Sequence, residues 1–229
     1  HLQNSDSTLY FISSYCFKTT DQNSAVILVG RADKFSNILF LCQRISFSFH
    51  LQTNPNKIYL LDGNGETIFT SKHKEVELRA GDDHPDFIDA FNAYTPPASI
   101  EGNLVYVHYA RVEDLRQLKN ELNIDLTGKI CMARYGKIFR GNKIKNCQDA
   151  GAIGVVIFSD PGDVAVQGTE PENVYPNTIF LPGSGIQRGT TFIGDGDPLS
   201  PGWASVANAY RLDPEEADGL PKIPAQPIG

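Results

Sequence analysis

The sequence predicts an α+β fold, and three observations carry that expectation. Residues 57–70 read as a β-hairpin, residues 104–158 as a β-α-β-α-β run, and the stretch from 159 onward as a long irregular segment rich in proline and glycine. Residues 1–50 come first and are the least interpretable. They hold scattered aromatics (Tyr10, Phe11, Tyr15, Phe17) and an alternation at Ile45, Phe47 and Phe49, enough for one or two strands in a divergent, poorly defined segment. From Asn54 the pattern sharpens. Lys57–Leu61 is a strand, Asp62-Gly63-Asn64-Gly65 a hairpin turn, and residues 66–70 the returning strand. The acidic turn is no EF-hand, because its sixth and twelfth places hold Thr67 and His73 where glycine and glutamate are required.

Residues 79–102 are rich in Gly, Asp, Pro and Ala and read as an irregular surface crossing. Asp82, Asp83, His84 and Asp86 within it carry metal-ligand chemistry, yet their adjacency is that of a solvated loop. The clearest architecture follows: a strand at 104–107, a helix at 113–122 with Leu115, Leu118 and Leu122 on one face, and a strand at 129–134. A helix over 142–150, stopped by Gly151, leads to a third strand at 153–158. Continuously apolar strands are usually covered on both faces, so this run should form the centre of the domain. Beyond it, the glycines at 183, 185, 189, 194 and 196 fit neither a dinucleotide fingerprint nor a Walker loop. Pro221, Pro224 and Pro227 make the last nine residues an extended exit strand or linker, within an exit linker over 213–229.

Twenty basic against 27 acidic residues, a net charge of −7, argue against binding along a phosphate backbone, and nucleic acid is excluded as a partner. No apolar run reaches the roughly 18 to 20 residues a membrane helix needs. Four cysteines (Cys16, Cys42, Cys131, Cys147) are too few for a disulfide scaffold, and Cys131 and Cys147 read as buried thiols of the central run. No glycosylation sequon occurs. The chain starts at His1 with neither initiator Met nor signal pattern and reads as a fragment of something longer. There is no GxSxG elbow and no HExxH, and His1, His50, His73, His84 and His108 offer no helix-spaced pair.

The most informative stretch is Ala133 to Asn146, a cationic loop flanked by Gly136 and Gly141 between a strand and a helix beginning near Asn142. Glycines there permit an unusual backbone path around Phe139 and Arg140. A guanidinium so held can be aimed at an anion, which it grips with two parallel hydrogen bonds, and a helix N-terminus adds positive potential. Two readings stay open on these residues alone: recognition of an acidic ligand, or a solvated basic loop.

Longer motifs carry a resemblance. Ile100-Glu101-Gly102-Asn103-Leu104-Val105-Tyr106-Val107 with Tyr109 to Asp114, then Ala133 to Asn146, Asp149 to Val155, Ser159-Asp160-Pro161, Gln187-Arg188-Gly189, Gly196 to Gly202 and Ile223 to Gly229 together resemble the protease-associated (PA) or apical domain of the glutamate carboxypeptidase II family. That family comprises zinc peptidases of the M28 type, with transferrin receptors as non-catalytic relatives. The resemblance runs from about Asn54 to Gly229 and implies a PA domain over 54–212 with a mixed sheet or open barrel flanked by helices.

It also implies a function. In such enzymes the apical domain lids a zinc active site, and the arginine of a KxFRGN motif receives the C-terminal carboxylate of the peptide. This carries over to Arg140, with Phe139 as a pocket wall and Lys137 opening the motif. An asparagine after QRG contacts the terminal residue; Thr190 stands there and keeps a hydroxyl without the amide. A structural calcium is implied at Asp197 to Trp203, with Ser200 and Trp203 as ligands. The zinc ions belong to a peptidase domain outside this chain, so the chain itself should bind no catalytic cofactor and hydrolyse nothing. The implied partners are a peptide with an acidic C-terminal end, that peptidase domain and a second copy in a homodimer, in an extracellular or membrane-anchored ectodomain. The alternative is a PA interaction module without catalysis, or a transferrin-receptor-like fragment.

Overall fold

The computed structural model describes residues 9–12, 15–18, 37–42, 56–84 and 87–229. In chain order its elements are β1 Leu9–Ile12, β2 Tyr15–Lys18, β3 Asn37–Cys42, β4 Lys57–Leu61, β5 Thr67–Thr70, β6 Asn92–Ala93, β7 Ala98–Tyr106, α1 Val112–Asn120, β8 Ile130–Arg134, α2 Arg140–Asp149, β9 Gly154–Phe158, the short α3 Pro161–Val164, β10 Gly189–Thr190 and β11 Ala225–Ile228. The main sheet has seven strands in the order β11-β9-β8-β7-β3-β4-β5. Its first half is parallel, from β11 through β9 and β8 to β7. Its second half is antiparallel, from β7 through β3 and β4 to β5. The fold is therefore α+β with a mixed sheet, as the sequence led us to expect.

Burial decides which face each element shows. Leu118 of α1 and Ile144 and Cys147 of α2 pack with Val105, Cys131, Ala133, Val155 and Ile157 on one side of the parallel strands. The other face of the same strands meets the antiparallel half in a cluster of Ile58, Leu60, Leu104, Ile130 and Val156. All five residues of β9 are buried, as continuous apolarity requires of a strand covered on both faces. The sheet also curls. Asn56, just before β4, donates from Nδ2 to Gln226 Oε1 of β11 at 2.7 Å, joining positions near opposite ends of the strand order.

Several expectations need correction. Residues 225–228, read as an exit strand or linker, do form a strand, β11, but one built into the main sheet: Ala225 and Gln226 are buried, and Gln226 Nε2 donates to Ala90 O at 2.7 Å. Proline is tolerated because β11 is an edge of the sheet. The irregular crossing at 79–102 ends earlier than expected, since β6 lies within it and β7 begins at Ala98 and pairs with β3 over Cys42↔Ala98 to Asn37↔Asn103. The early part of β7 is held by a partner remote in sequence, which local composition cannot reveal. Strand β3 lies in the segment set apart as divergent, yet it sits inside the main sheet. The alternation at Ile45, Phe47 and Phe49 and part of the Asp82–Asp86 cluster lie outside the described residues.

The hairpin turn is what it was expected to be. Asp62 Oδ1 accepts from the N–H groups of Asn64 and Glu66 at 2.8 and 2.9 Å, which closes the turn on itself. No helix among the described residues is long and apolar enough to cross a membrane.

Candidate anion-recognition site

The loop between β8 and α2 is built on Tyr135. Its ring is buried, its hydroxyl donates to the Gln187 carbonyl at 2.7 Å, and Asn92 Oδ1 lies 3.4 Å away. Burial pushes the Tyr135 hydroxyl up to about 12, partly offset by the nearby Arg140 cation. Gly136 then takes φ +99°, where a side chain would be strained, and Lys137 follows at φ +66°. Under this turn lies Lys143 of α2, fully buried and unforeseen from the sequence. Its Nζ donates to Tyr109 O and Gly136 O, both at 2.7 Å. Burial lowers the Lys143 ammonium to about 8.

Helix α2 begins at Arg140, with Phe139 as its extended N-cap, rather than near Asn142. The earlier start has a packing reason. A Cβ on Gly141 would lie 2.3 Å from Thr191 O, so only a glycine lets the first turn of α2 press against that backbone. Gly141 was expected to permit an unusual backbone path; its backbone is instead helical, and what it permits is close approach.

Arg140 lies across the strand opposite. Its Nη1 donates to Thr190 O at 3.2 Å, and a Cβ on Gly189 would stand 2.5 Å from Arg140 Cζ. The guanidinium also stacks on Phe139, with Cζ 5.5 Å from the ring centroid, while that ring stays 38% exposed. Among the described residues, Arg140 Nε, Asn92 Nδ2 and, outside this site, Arg134 Nε are buried donors with no hydrogen-bond partner. Such groups cost stability unless something accepts from them.

The opposite strand is itself clamped. β10 pairs in parallel with β6, Gly189↔Asn92 and Thr190↔Ala93. Arg188 makes a fork to Glu75 at 2.6 and 2.8 Å and donates to Ile88 O at 2.9 Å, tying the 75–88 segment to the QRG turn. Burial pushes the Glu75 carboxyl up, but the Arg188 guanidinium prevails and holds it below its ordinary value.

The structure therefore brings Arg140, Phe139 and Thr190 together, and with them Tyr135, Asn92, Gly189 and Arg188. Sequence reasoning did not single out Tyr135, Asn92, Lys143 or Glu75, whose partners lie far along the chain. The Thr190 side chain is exposed, and its Oγ1 accepts from Phe192 N at 3.2 Å. Lys137 turns to a different neighbour: its Nζ stands 5.6 Å from the Tyr109 ring centroid. Arg134, Lys143 and Arg111 surround that same ring at 4.8, 5.4 and 5.8 Å.

Ser200 and Trp203 belong to a separate turn organised by Asp197. That carboxylate accepts from Leu199 N at 3.0 Å and from the hydroxyls of Ser200 and Ser205 at 2.8 Å, and these bonds hold it below its ordinary value. Trp203 N donates to Ser200 O at 3.1 Å. Calcium takes about six to eight oxygens, commonly with carboxylates. No group of three or more His, Cys, Asp or Glu that could hold a metal occurs among the described residues.

Comparison with known proteins accords with the geometry. A family model described as PA domain matches residues 100–191. The aminopeptidase NAALADL1 of Mus musculus is 36% identical over 186 residues, covering 81% of this chain and 25% of that protein. A glutamate carboxypeptidase 2 homolog of Caenorhabditis elegans is 37% identical over 180 residues, 76% of this chain and 23% of its own. Transferrin receptor protein 2 of Homo sapiens is 35% identical over 140 residues, 61% of this chain and 16% of its own. A solved aminopeptidase from Aneurinibacillus sp. strain AM-1 matches 29% of this chain and 15% of that chain at 30% identity and TM-score 0.26, too little to bear on the fold. The chain thus spans about a quarter or less of the length of these curated relatives. With its central β-α-β-α-β run inside the matched residues, the chain carries a PA domain and is similar there to glutamate carboxypeptidase-type proteins and their transferrin receptor relative.

Proposed function

We propose that this chain is the substrate-recognising PA domain of a glutamate carboxypeptidase-like metallopeptidase, in which Arg140 receives the C-terminal carboxylate of a peptide. One observation carries the reading. The Arg140 guanidinium is laid over a strand at Gly189, where no side chain fits, and retains an unsatisfied buried Nε. A fixed, always charged fork with a spare donor suits a carboxylate, because both oxygens can accept at once. Phe139 supplies an apolar wall for the terminal residue, and Thr190 offers a hydroxyl beside it. The zinc chemistry lies in a peptidase domain elsewhere in the full-length protein, which the ectodomain presents outside the cell. Any structural calcium at Ser200 and Trp203 draws most of its ligands from that domain.

The decisive measurement is steady-state kinetics on the full-length protein. Arg140→Ala should raise KM for peptides with a free C-terminal carboxylate by the equivalent of roughly 2–5 kcal/mol, and much less for amidated peptides. Gly189→Ala, which pushes the guanidinium off its strand without removing charge, should act in the same direction. An unchanged KM in both variants overturns the assignment. The match to transferrin receptor protein 2 favours a second reading, a non-catalytic ectodomain module. Absence of any peptidase activity in the full-length wild-type protein would select it.

A further inference from the structure

Arg140 meets its strand through an exposed hydrogen bond, Nη1 to Thr190 O at 3.2 Å, which contributes little by itself. Where the guanidinium lies therefore depends on how the two segments are fixed to each other. Tyr135 joins them. Its N–H donates to Phe158 O of β9 at 2.9 Å, and its buried ring belongs to the cluster that packs α2 on the sheet, so its root is part of the core. From there the hydroxyl reaches 52 positions along the chain and donates to Gln187 O at 2.7 Å, just ahead of Arg188 and Gly189. Asn92 Oδ1 stands 3.4 Å from the same hydroxyl, and Asn92 is the residue opposite Gly189 in the β6–β10 pair. One buried group thus meets both strands beside Arg140. We propose that Tyr135 is a positioning residue: through its bond to Gln187 it sets where Arg140 lies over Gly189 and Thr190, and so how well the guanidinium receives a carboxylate. The inference rests on the reading of Arg140 given above and adds to it a residue that does not itself touch the peptide.

Burial gives that bond its leverage. The two segments approach closely: a Cβ on Gly189 would stand 2.5 Å from Arg140 Cζ, and one on Gly141 2.3 Å from Thr191 O, so a sideways shift of either segment moves the guanidinium. A carbonyl shut away from water is costly to leave unpaired, and the turn stays where the Tyr135 hydroxyl can reach it. The Arg188 fork restrains the same turn, but it leads to Glu75 and not to the loop that bears Arg140. Without the hydroxyl, the turn keeps that fork while its hydrogen bonding to the Arg140 loop rests on the exposed bond to Thr190.

The test is a double-mutant cycle on the full-length protein, read by steady-state kinetics on peptides that differ only in a free or an amidated C-terminus. Tyr135→Phe keeps the ring in its cluster and removes the hydroxyl alone. It should raise KM for the free-acid peptides roughly tenfold, leave kcat within about twofold, and change the amidated peptides little. In the Arg140→Ala background the same change should add nothing, because the group it positions is gone. If Arg140→Ala raises KM and Tyr135→Phe does not, the proposal is overturned and the carboxylate reading stands. A rise of equal size in both backgrounds also overturns it, since Tyr135 then acts on the domain at large. An unchanged KM in Arg140→Ala, or a wild-type protein without peptidase activity, overturns both.

Discussion

Lys143 shows how much a single side chain can organise. A buried ammonium with two carbonyl acceptors fixes both Tyr109 and Gly136, and so sets the turn that delivers Phe139 and Arg140. Replacing it with methionine keeps much of the volume but leaves two buried carbonyls without their donor, which should cost about 1–3 kcal/mol by urea denaturation. The pH dependence has a definite sign. In the folded chain the ammonium releases its proton near 8, whereas the unfolded chain keeps it to 10.5, so the unfolded state binds more protons in between. The stability gap between wild type and Lys143→Met should therefore widen as pH rises through that window; a flat gap would mean the amine is solvated. Nothing in the sequence marked Lys143, because its partners sit 34 and 7 positions away in directions only packing defines. Arg140 was legible for the opposite reason. Its neighbours Phe139, Gly136 and Gly141 are local, and their chemistry is visible in order.

At the scale of elements, the weakest joint of the site is the two-residue pairing of β6 with β10. Ladders this short are not stable alone, and the Arg188–Glu75 fork supplies the missing restraint from outside the ladder. Arg188→Ala should speed amide exchange at Thr191, whose N–H bonds to Ala93 O, while leaving β8 and β9 protected. The pair also predicts acid sensitivity. Since the folded Glu75 carboxyl lies below its unfolded value of 4.5, its contribution is present above that pH and lost as pH falls through the lower folded value. The protection of Thr191, taken relative to intrinsic exchange at each pH, should fall in acid in the wild type and show no such fall in Glu75→Gln. The strands and helices of the central run were readable because each has its own apolar period. Strand β11 was readable only in part, since three prolines within 221–227 fit an extended strand or a linker equally until β9 is there to pair with.

At the scale of the whole molecule, the chain sets the Arg140 loop against the short β6–β10 pair beside a curled sheet, and no metal-holding cluster of His, Cys, Asp or Glu occurs among the described residues. Calcium in the millimolar range should leave the melting temperature of this chain unchanged, because the Asp197 turn satisfies its carboxylate internally with Leu199, Ser200 and Ser205. A clear rise would show that a full ligand set closes within these residues.

The sequence by itself determined the β-α-β-α-β run, the basic loop and the family to which its motifs lead, because those depend on residues close together along the chain. Only the tertiary structure decided that Arg140 rests on Gly189 and Thr190, that Gln226 meets Asn56, and that Arg188 grips Glu75. These contacts join residues about 50 to 170 positions apart, and no local period encodes them; they arise when burial of the two apolar clusters brings the strands and loops into one place.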